Sequence, residues 1–279
     1  MDTIAASNAI SEPGRVWPQH QASLTLLAGL VSNPASQTVS WLDLACGEGQ
    51  ILTGVQKGFA EAERRKIAYT GFDRMDAYLR GTEKIASASG LQAHHMEVGN
   101  LSALSEMLPG KAYDFITLIN AVHEIDPKQL AAVLVDSLLR LTQHGILYAY
   151  DMESIEPAEL GAIPWTAGEF QSIAISMFEA VGAGAYRPAV QRWAHKSRDG
   201  WSLTVHREHV SAQDLSRLRA AAEAATSHKI GELLHVKLLR CKAALEHLTT
   251  YGPETADEQA AEQNLLHEFW AVSRALEAR

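Results

Sequence analysis

The sequence predicts an α/β protein with a doubly wound, mostly parallel seven-stranded sheet, a terminal antiparallel hairpin and a C-terminal helical hairpin. Three observations predict it. A strand, a glycine turn and a helix start follow one another within residues 39–50, which is the first half of a nucleotide-binding crossover unit. Short apolar runs then alternate with helical periodicity as far as residue 181, the pattern of parallel strands joined by crossover helices. Beyond that come two β-rich segments around a turn, and then two apolar stripes at helical spacing.

Composition narrows the class. Hydrophobic residues at 47% and charged residues at 20% fit an ordinary soluble globular protein, and 279 residues can hold one large domain or one domain with an appendage. A net charge of −9 argues against a nucleic-acid partner held by phosphate contacts. Cys46 and Cys241 lie in different regions and do not suggest a disulfide scaffold, so a cytoplasmic setting is expected. No apolar run approaches the ~20 residues of a membrane span, and the N-terminus lacks the basic start and apolar core of a signal peptide.

The first strand is Val-Ser-Trp-Leu-Asp-Leu at 39–44, and the chain then turns through Ala45, Gly47 and Gly49. A dinucleotide fingerprint wants a third glycine where Leu52 stands, and no phosphate-loop motif is present. The loop thus suits a nucleoside without pyrophosphate. Asp43, four positions before Gly47, suits a ligand with positive charge. S-adenosylmethionine meets both conditions. Asp43-Leu-Ala-Cys-Gly-Glu-Gly resembles the first motif of the class I, Rossmann-like S-adenosylmethionine-dependent methyltransferases, D/E-x-G-x-G-x-G, with Ala45 in place of the first glycine. Cys46 inside this loop reads as a small buried residue.

The remaining elements follow in order. Residues 1–13 are small and polar and end at Pro13-Gly14, a tail. Residues 16–31 carry helical spacing. The resemblance implies that such a helix covers the ligand, which would turn Arg15, Trp17 and His20 toward the pocket; the plainer alternative is surface residues beside a packed helix. A helix over 51–65 follows the glycine loop. The second strand, 67–72, ends at Asp73, 24 residues after Gly49. A carboxylate there can accept hydrogen bonds from both ribose hydroxyls, or cap the next helix. The resemblance places Met75 against the adenine. After a helix over 77–89 and a third strand over 92–98, it places Asn100 at the adenine amino group and Leu101 on the base. His94 and His95 point to opposite faces of that strand, so no shared metal is expected.

The fourth strand, 115–119, leads into Asn120-Ala-Val-His-Glu-Ile-Asp. By resemblance this tip carries the ligand's methionine part, with Asn120 meeting it. His123 is the candidate general base, on the near-neutral pKa of histidine; the competing reading is a structural hydrogen-bonding residue. Glu124 is a poor orienter of that ring, as sequence neighbours seldom face each other. A helix over 127–142 ends at His144-Gly145, and a fifth strand over 146–150 leads to Asp151 and Glu153, which read as solvated loop acids with metal or amine binding as the alternative. A helix over 166–181 precedes β-rich segments at 186–195 and 201–209, joined by the turn Ser197-Arg-Asp-Gly. The resemblance covers about 35–210.

The chain divides on this reading into a tail and cap helix (1–34), a methyltransferase domain (35–210) and a helical extension (211–279). In the extension, Ile230, Leu234, Leu238, Cys241, Leu245 and Leu248 form one stripe, and Leu265, Phe269, Val272 and Leu276 another, broken at Gly252-Pro253. The pair can pack on its own sheet, roof a pocket or form a homodimer. His228, Glu232 and His235 share a helical face and read as solvated, so no metal site is expected. The resulting expectation is methyl transfer from S-adenosylmethionine to a small or medium acceptor, a small molecule in preference to a protein, with no nucleic-acid or membrane partner. Two alternatives stand beside it. One is a non-catalytic adenosyl-ligand-binding scaffold assembling through the C-terminal helices. The other is a nicotinamide oxidoreductase, which Leu52 opposes.

Overall fold

The structure, a computed structural model, describes residues 18–155, 158–194, 199–253 and 255–277. The tail, Arg15, Trp17 and the turn residues Ser197 and Arg198 lie outside them. Seven strands form one sheet in the order β3-β2-β1-β4-β5-β7-β6: β1 (Val39–Leu44), β2 (Ile67–Asp73), β3 (Ala93–Val98), β4 (Tyr113–Ile119), β5 (Leu141–Met152), β6 (Ala189–Ala194) and β7 (Asp199–His206). β1 runs parallel to β2 and β4, β2 runs parallel to β3, and β6 pairs antiparallel with β7. The expected mostly parallel sheet with an antiparallel end hairpin is therefore present. The strand order reverses between β1 and β4, and in open α/β sheets the carboxyl ends beside such a reversal are where ligands bind.

The chain folds as two compact units. The first holds Met1–Ile119, Asp136–Tyr148 and His206–Glu208. Its helices are α1 (Pro18–Ser32), α2 (Gln50–Gly58), α3 (Glu61–Arg64), α4 (Asp76–Ala88) and α5 (Leu104–Met107). The single helix expected over 51–65 is thus two, broken at Phe59, whose extended backbone ends α2. A second correction concerns the fifth strand. His144-Gly145 does not stop a helix: the preceding helix, α6 (Pro127–Leu139), ends earlier and the strand starts at Leu141. Gly145 lies inside the strand because a Cβ there would stand 2.9 Å from the Tyr113 carbonyl oxygen. The glycine permits a close strand approach.

A buried polar network ties the central strands of this unit. Trp41 Nε1 donates to Thr117 Oγ1 at 2.8 Å, Thr117 Oγ1 donates to Asp43 Oδ1 at 2.6 Å, and Tyr69 Oη donates to Asp43 Oδ2 at 3.1 Å. The four side chains come from β1, β2 and β4, and Asp43 sits directly opposite Thr117 in the parallel register. A one-residue slip of either neighbour would break the chain of bonds and leave a buried carboxylate unpaired, which costs far more than the bonds gain.

The second unit holds Asn120–Val135, Ala149–Val205 and His209–Arg279. Helix α7 (Ala167–Ala180) starts at a capping box: Glu169 N donates to Thr166 Oγ1 and Thr166 N donates to the Glu169 carboxylate. After α8 (Ala212–Arg217), the long helix α9 (Arg219–Tyr251) turns at Gly252 into α10 (Ala256–Glu277). The two form the expected helical hairpin, and α9 also packs on α7. Ile230, Leu234, Cys241 and Val272 of the two stripes are buried. Between them lies a fully buried Lys237, whose Nζ is 2.9 Å from Glu169 Oε2 and 5.5 Å from the Trp165 ring centre. No described helix is long and apolar enough to cross a membrane.

The Asp43 network generates a test. Burial, offset in part by the Thr117 and Tyr69 hydrogen bonds, raises the Asp43 pKa to about 7. In the unfolded chain the group titrates near 4. Between those pH values the folded state keeps a proton that the unfolded state has released, so this group's contribution to stability falls as pH rises through the window. Asp43→Asn should remove the fall. Its unfolding free energy relative to wild type, measured by denaturant titration, should rise by up to about 4 kcal/mol from pH 4 to pH 8. An offset that does not change with pH would show that Asp43 is ionised throughout.

Candidate functional site

In the first unit the candidate site is the exit from β1. Ala45, Gly47 and Gly49 have φ of 52°, 54° and 76°, all in the left-handed region. Glycine is favoured at such positions, and Ala45 carries the strain of a Cβ there. A Cβ built on Gly47 would meet nothing within 4 Å, so its outer face is open to a ligand. Gly49 precedes α2, in which Ile51 and Leu52 are buried. The thiol of Cys46 is buried, and burial pushes its pKa well up. It is a packing residue, as the sequence suggests.

Asp73 fastens this loop. Gly47 N donates to Asp73 Oδ2 at 2.9 Å and Met75 N donates to Oδ1 at 2.8 Å. Met75, not Asp73, occupies the cap position of α4, and Asp73 holds the start of that helix through the Met75 N–H. Each carboxylate oxygen has a second lone pair, which leaves acceptor capacity for ribose hydroxyls. Thr82 of α4 supplies the other tie, donating to Gly47 O at 2.8 Å. Sequence reasoning missed Thr82. Its signal is a hydroxyl at i+3 from Leu79 and i−4 from Ala86 on the buried face of an amphipathic helix.

The other expected adenosine contacts are placed unevenly. Met75 is 45% exposed, an apolar surface beside the loop's anchor. Leu101 begins the short turn Leu101–Ala103 and is half-buried. Asn100 caps that turn: its Oδ1 accepts from Ser102 N and from Ser102 Oγ, both at 3.0 Å. That oxygen is the one assigned to the adenine amino group, and Ser102 already engages it. Asp43 is only 2% exposed and its two oxygens face Thr117 and Tyr69. Its carboxylate is thus engaged within the strand network. His20 is buried in α1, and burial lowers its pKa to about 4.

In the second unit, Asn120 has φ 54° and its N donates to Tyr150 O at 2.9 Å. Asparagine tolerates this left-handed turn better than most residues. His123 follows in the turn Val122–Glu124 and is 4% exposed. Its backbone N donates to Asp151 Oδ2 at 2.9 Å and its Nδ1 lies 2.7 Å from Asp151 Oδ1. Met152 N adds a third bond to the same carboxylate at 2.8 Å. Asp151 is thus the orienter of the ring, a buried partner and not a solvated loop acid. Glu153 goes elsewhere, accepting from Ala167 N at 3.0 Å at the start of α7 and facing Arg192 at 3.5 Å, so the two acids do not act as a pair.

The other ring nitrogen of His123 faces Glu159 Oε2 at 3.5 Å and Glu124 Oε1 at 3.9 Å. Burial by itself lowers a histidine pKa, but here Asp151, with Glu159 adding to it, outweighs burial and pushes His123 up to about 10. These carboxylates thus draw the ring away from the near-neutral value of a free histidine. His228 and Glu232 of the extension are exposed, and His235 Nδ1 lies 2.8 Å from Gly231 O.

The strain at Ala45 is testable. Ala45→Gly should relieve a left-handed Cβ penalty of about 1 kcal/mol and raise the melting temperature by roughly 2–4 °C. A melting temperature that stays level or falls would mean that the loop gains more from the alanine methyl than it loses to strain.

Comparison with known proteins agrees with this geometry. Residues 35–164 match a family model described as Methyltransferase domain. Magnesium protoporphyrin IX methyltransferase from Synechocystis PCC 6803, solved with SAH bound, is similar with a TM-score of 0.50 at 12% identity, covering 73% of this chain and 93% of that one. The CurJ carbon methyltransferase is similar with a TM-score of 0.50 at 11% identity, covering 67% of this chain and 53% of that one. At such identities the similarity speaks for the fold. No curated relative matches the sequence. The family match over residues 35–164, the strand order and the glycine loop on β1 agree with the class I methyltransferase fold.

Proposed function

We propose that the chain binds S-adenosylmethionine on the β1 loop and transfers its methyl group to a nucleophilic atom of a small or medium acceptor. The observation that carries this reading is the Asp73 carboxylate, which ties Gly47 N to Met75 N and keeps acceptor capacity on each oxygen. The residues fit the ligand. Gly47 offers an unfilled face, Met75 an exposed apolar surface, and Asp43, once ionised above about pH 7, a buried source of negative potential for a cationic ligand. When bound, S-adenosylmethionine supplies an electrophilic methyl group. The protein's contribution is then to hold the two reactants in line and to keep water out.

Acceptors that must lose a proton need an activating group, and the reading assigns this to the His123 cluster. Asp151 fixes Nδ1, so Nε2 is the atom offered to an acceptor, and it takes the acceptor's proton only after releasing its own, which makes the step favour alkaline pH. The net charge of −9 favours small-molecule acceptors over nucleic acid. In the C-terminal hairpin Ile230, Leu234, Cys241 and Val272 are buried, while Val236 and Leu239 are exposed, so both a supporting role and one in assembly stay with this reading.

Calorimetric titration tests the cofactor assignment. S-adenosylmethionine and SAH should bind wild type, and Asp73→Ala should weaken both by about 10–100-fold, the loss expected for hydrogen bonds to a charged group. No binding by folded wild-type protein would end the methyltransferase reading. Binding without SAH release across an acceptor screen would favour the non-catalytic adenosyl-binding alternative. His123→Ala should leave S-adenosylmethionine affinity intact and lower turnover of a hydroxyl acceptor by about 100-fold or more. Full turnover at saturating acceptor would remove His123 from the mechanism.

A further inference from the structure

Within the second unit, one histidine nitrogen and two carboxylates converge. His123 Nε2 and the carboxylates of Glu124 and Glu159 offer ligand atoms that all lie within 4.8 Å of one another. We propose that these three residues form a binding site for one divalent transition-metal ion, which takes the place of the Nε2 proton and releases it to solvent.

The distances are close to those of a ligated ion. Zinc–nitrogen and zinc–oxygen bonds of about 2.0–2.2 Å put neighbouring ligand atoms roughly 3–3.5 Å apart. Nε2 is already 3.5 Å from Glu159 Oε2 and 3.9 Å from Glu124 Oε1. The ring is also supported as a metal-bound imidazole is. A ligating histidine usually gives its other N–H to a carboxylate, which fixes its tautomer and plane. Asp151 does this at 2.7 Å, and it is itself held by His123 N and Met152 N.

Glu159 is held in place on both sides. Ala158 N donates to Asn264 Oδ1 at 2.9 Å, and Ile163 N donates to His123 O at 2.9 Å. The segment that brings Glu159 to the ring is therefore fastened one residue before it and four residues after it. Charge points the same way, since three carboxylates surround a single imidazole. One nitrogen and two oxygens suit zinc, iron or manganese better than calcium or copper(I).

Three protein ligands leave coordination positions open, as catalytic sites do and structural sites do not. Glu124 also lines a cavity of about 430 Å³ shared with Lys128, Ile163, Trp270 and Arg274. If the methyl-transfer reading holds, an oxygen of the acceptor can enter there and be polarised by the ion. The binding of the ion itself does not depend on that reading.

The experiment is a titration of the full chain, stripped with chelator, with Mn²⁺, followed by the loss of the free-ion signal in electron paramagnetic resonance. One ion per chain should bind, and Zn²⁺ should displace it. Glu159→Gln and Glu124→Gln, at positions about half exposed and so expected to fold, should each weaken binding about ten-fold or more, and Asp151→Asn about ten-fold. Glu61→Gln on the surface should change nothing. Absence of saturable binding overturns the proposal, as does affinity unchanged in Glu159→Gln. The parallel S-adenosylmethionine titration reads the other unit's loop, so failure of the cofactor reading and failure of the metal site give separate signals.

Discussion

The carboxylate of Asp73 is the constraint on which the first unit's site depends. A chain that leaves a parallel strand through three left-handed residues has no repeating backbone partners of its own. Asp73 supplies one from the end of the neighbouring strand, and Thr82 supplies another from the following helix. Strand β2 therefore does more than extend the sheet. It fixes the loop of β1 and, by the bond to Met75 N, the start of the next helix. The Asp43 network beneath locks the register of the three strands that make this possible. Position of the loop, tilt of the helix and exposure of Met75 are thus consequences of one short acidic side chain at a strand end.

The second unit solves a different problem, the burial of charge. Asp151 is 1% exposed and accepts three hydrogen bonds, two from the same residue, His123. A buried carboxylate so placed costs little because its desolvation is offset by charge-assisted bonds. It holds the ring in one orientation and leaves a single nitrogen to act.

Much of this was legible in the sequence, and the reasons for the rest are physical. The glycine spacing after 39–44 and the distance to Asp73 reflect local backbone demands, so they survive reading in one dimension. The direction of Asp43 did not, because nearly every position of β1 is buried and no alternation tells one face from the other. Gly145 looked like a helix stop because a glycine that ends a helix and one that lets two strands approach are the same letter. The partner of His123 was out of reach for a stronger reason. Asp151 lies 28 residues away on another strand, and Glu159 comes from a segment with no periodicity. Their meeting is a property of the tertiary fold, and so is the charge state that follows from it.

The buried pair of Lys237 and Glu169 bears on where this protein can be cut. The family match ends at residue 164, which invites the view that the C-terminal helices are an accessory. Yet Glu169 both completes the cap of α7 and meets the Lys237 ammonium. A chain shortened before α9 would take the ammonium from that carboxylate and uncover the face of α7 on which α9 packs. The domain recognisable in sequence thus ends inside a compact unit that the helical hairpin completes.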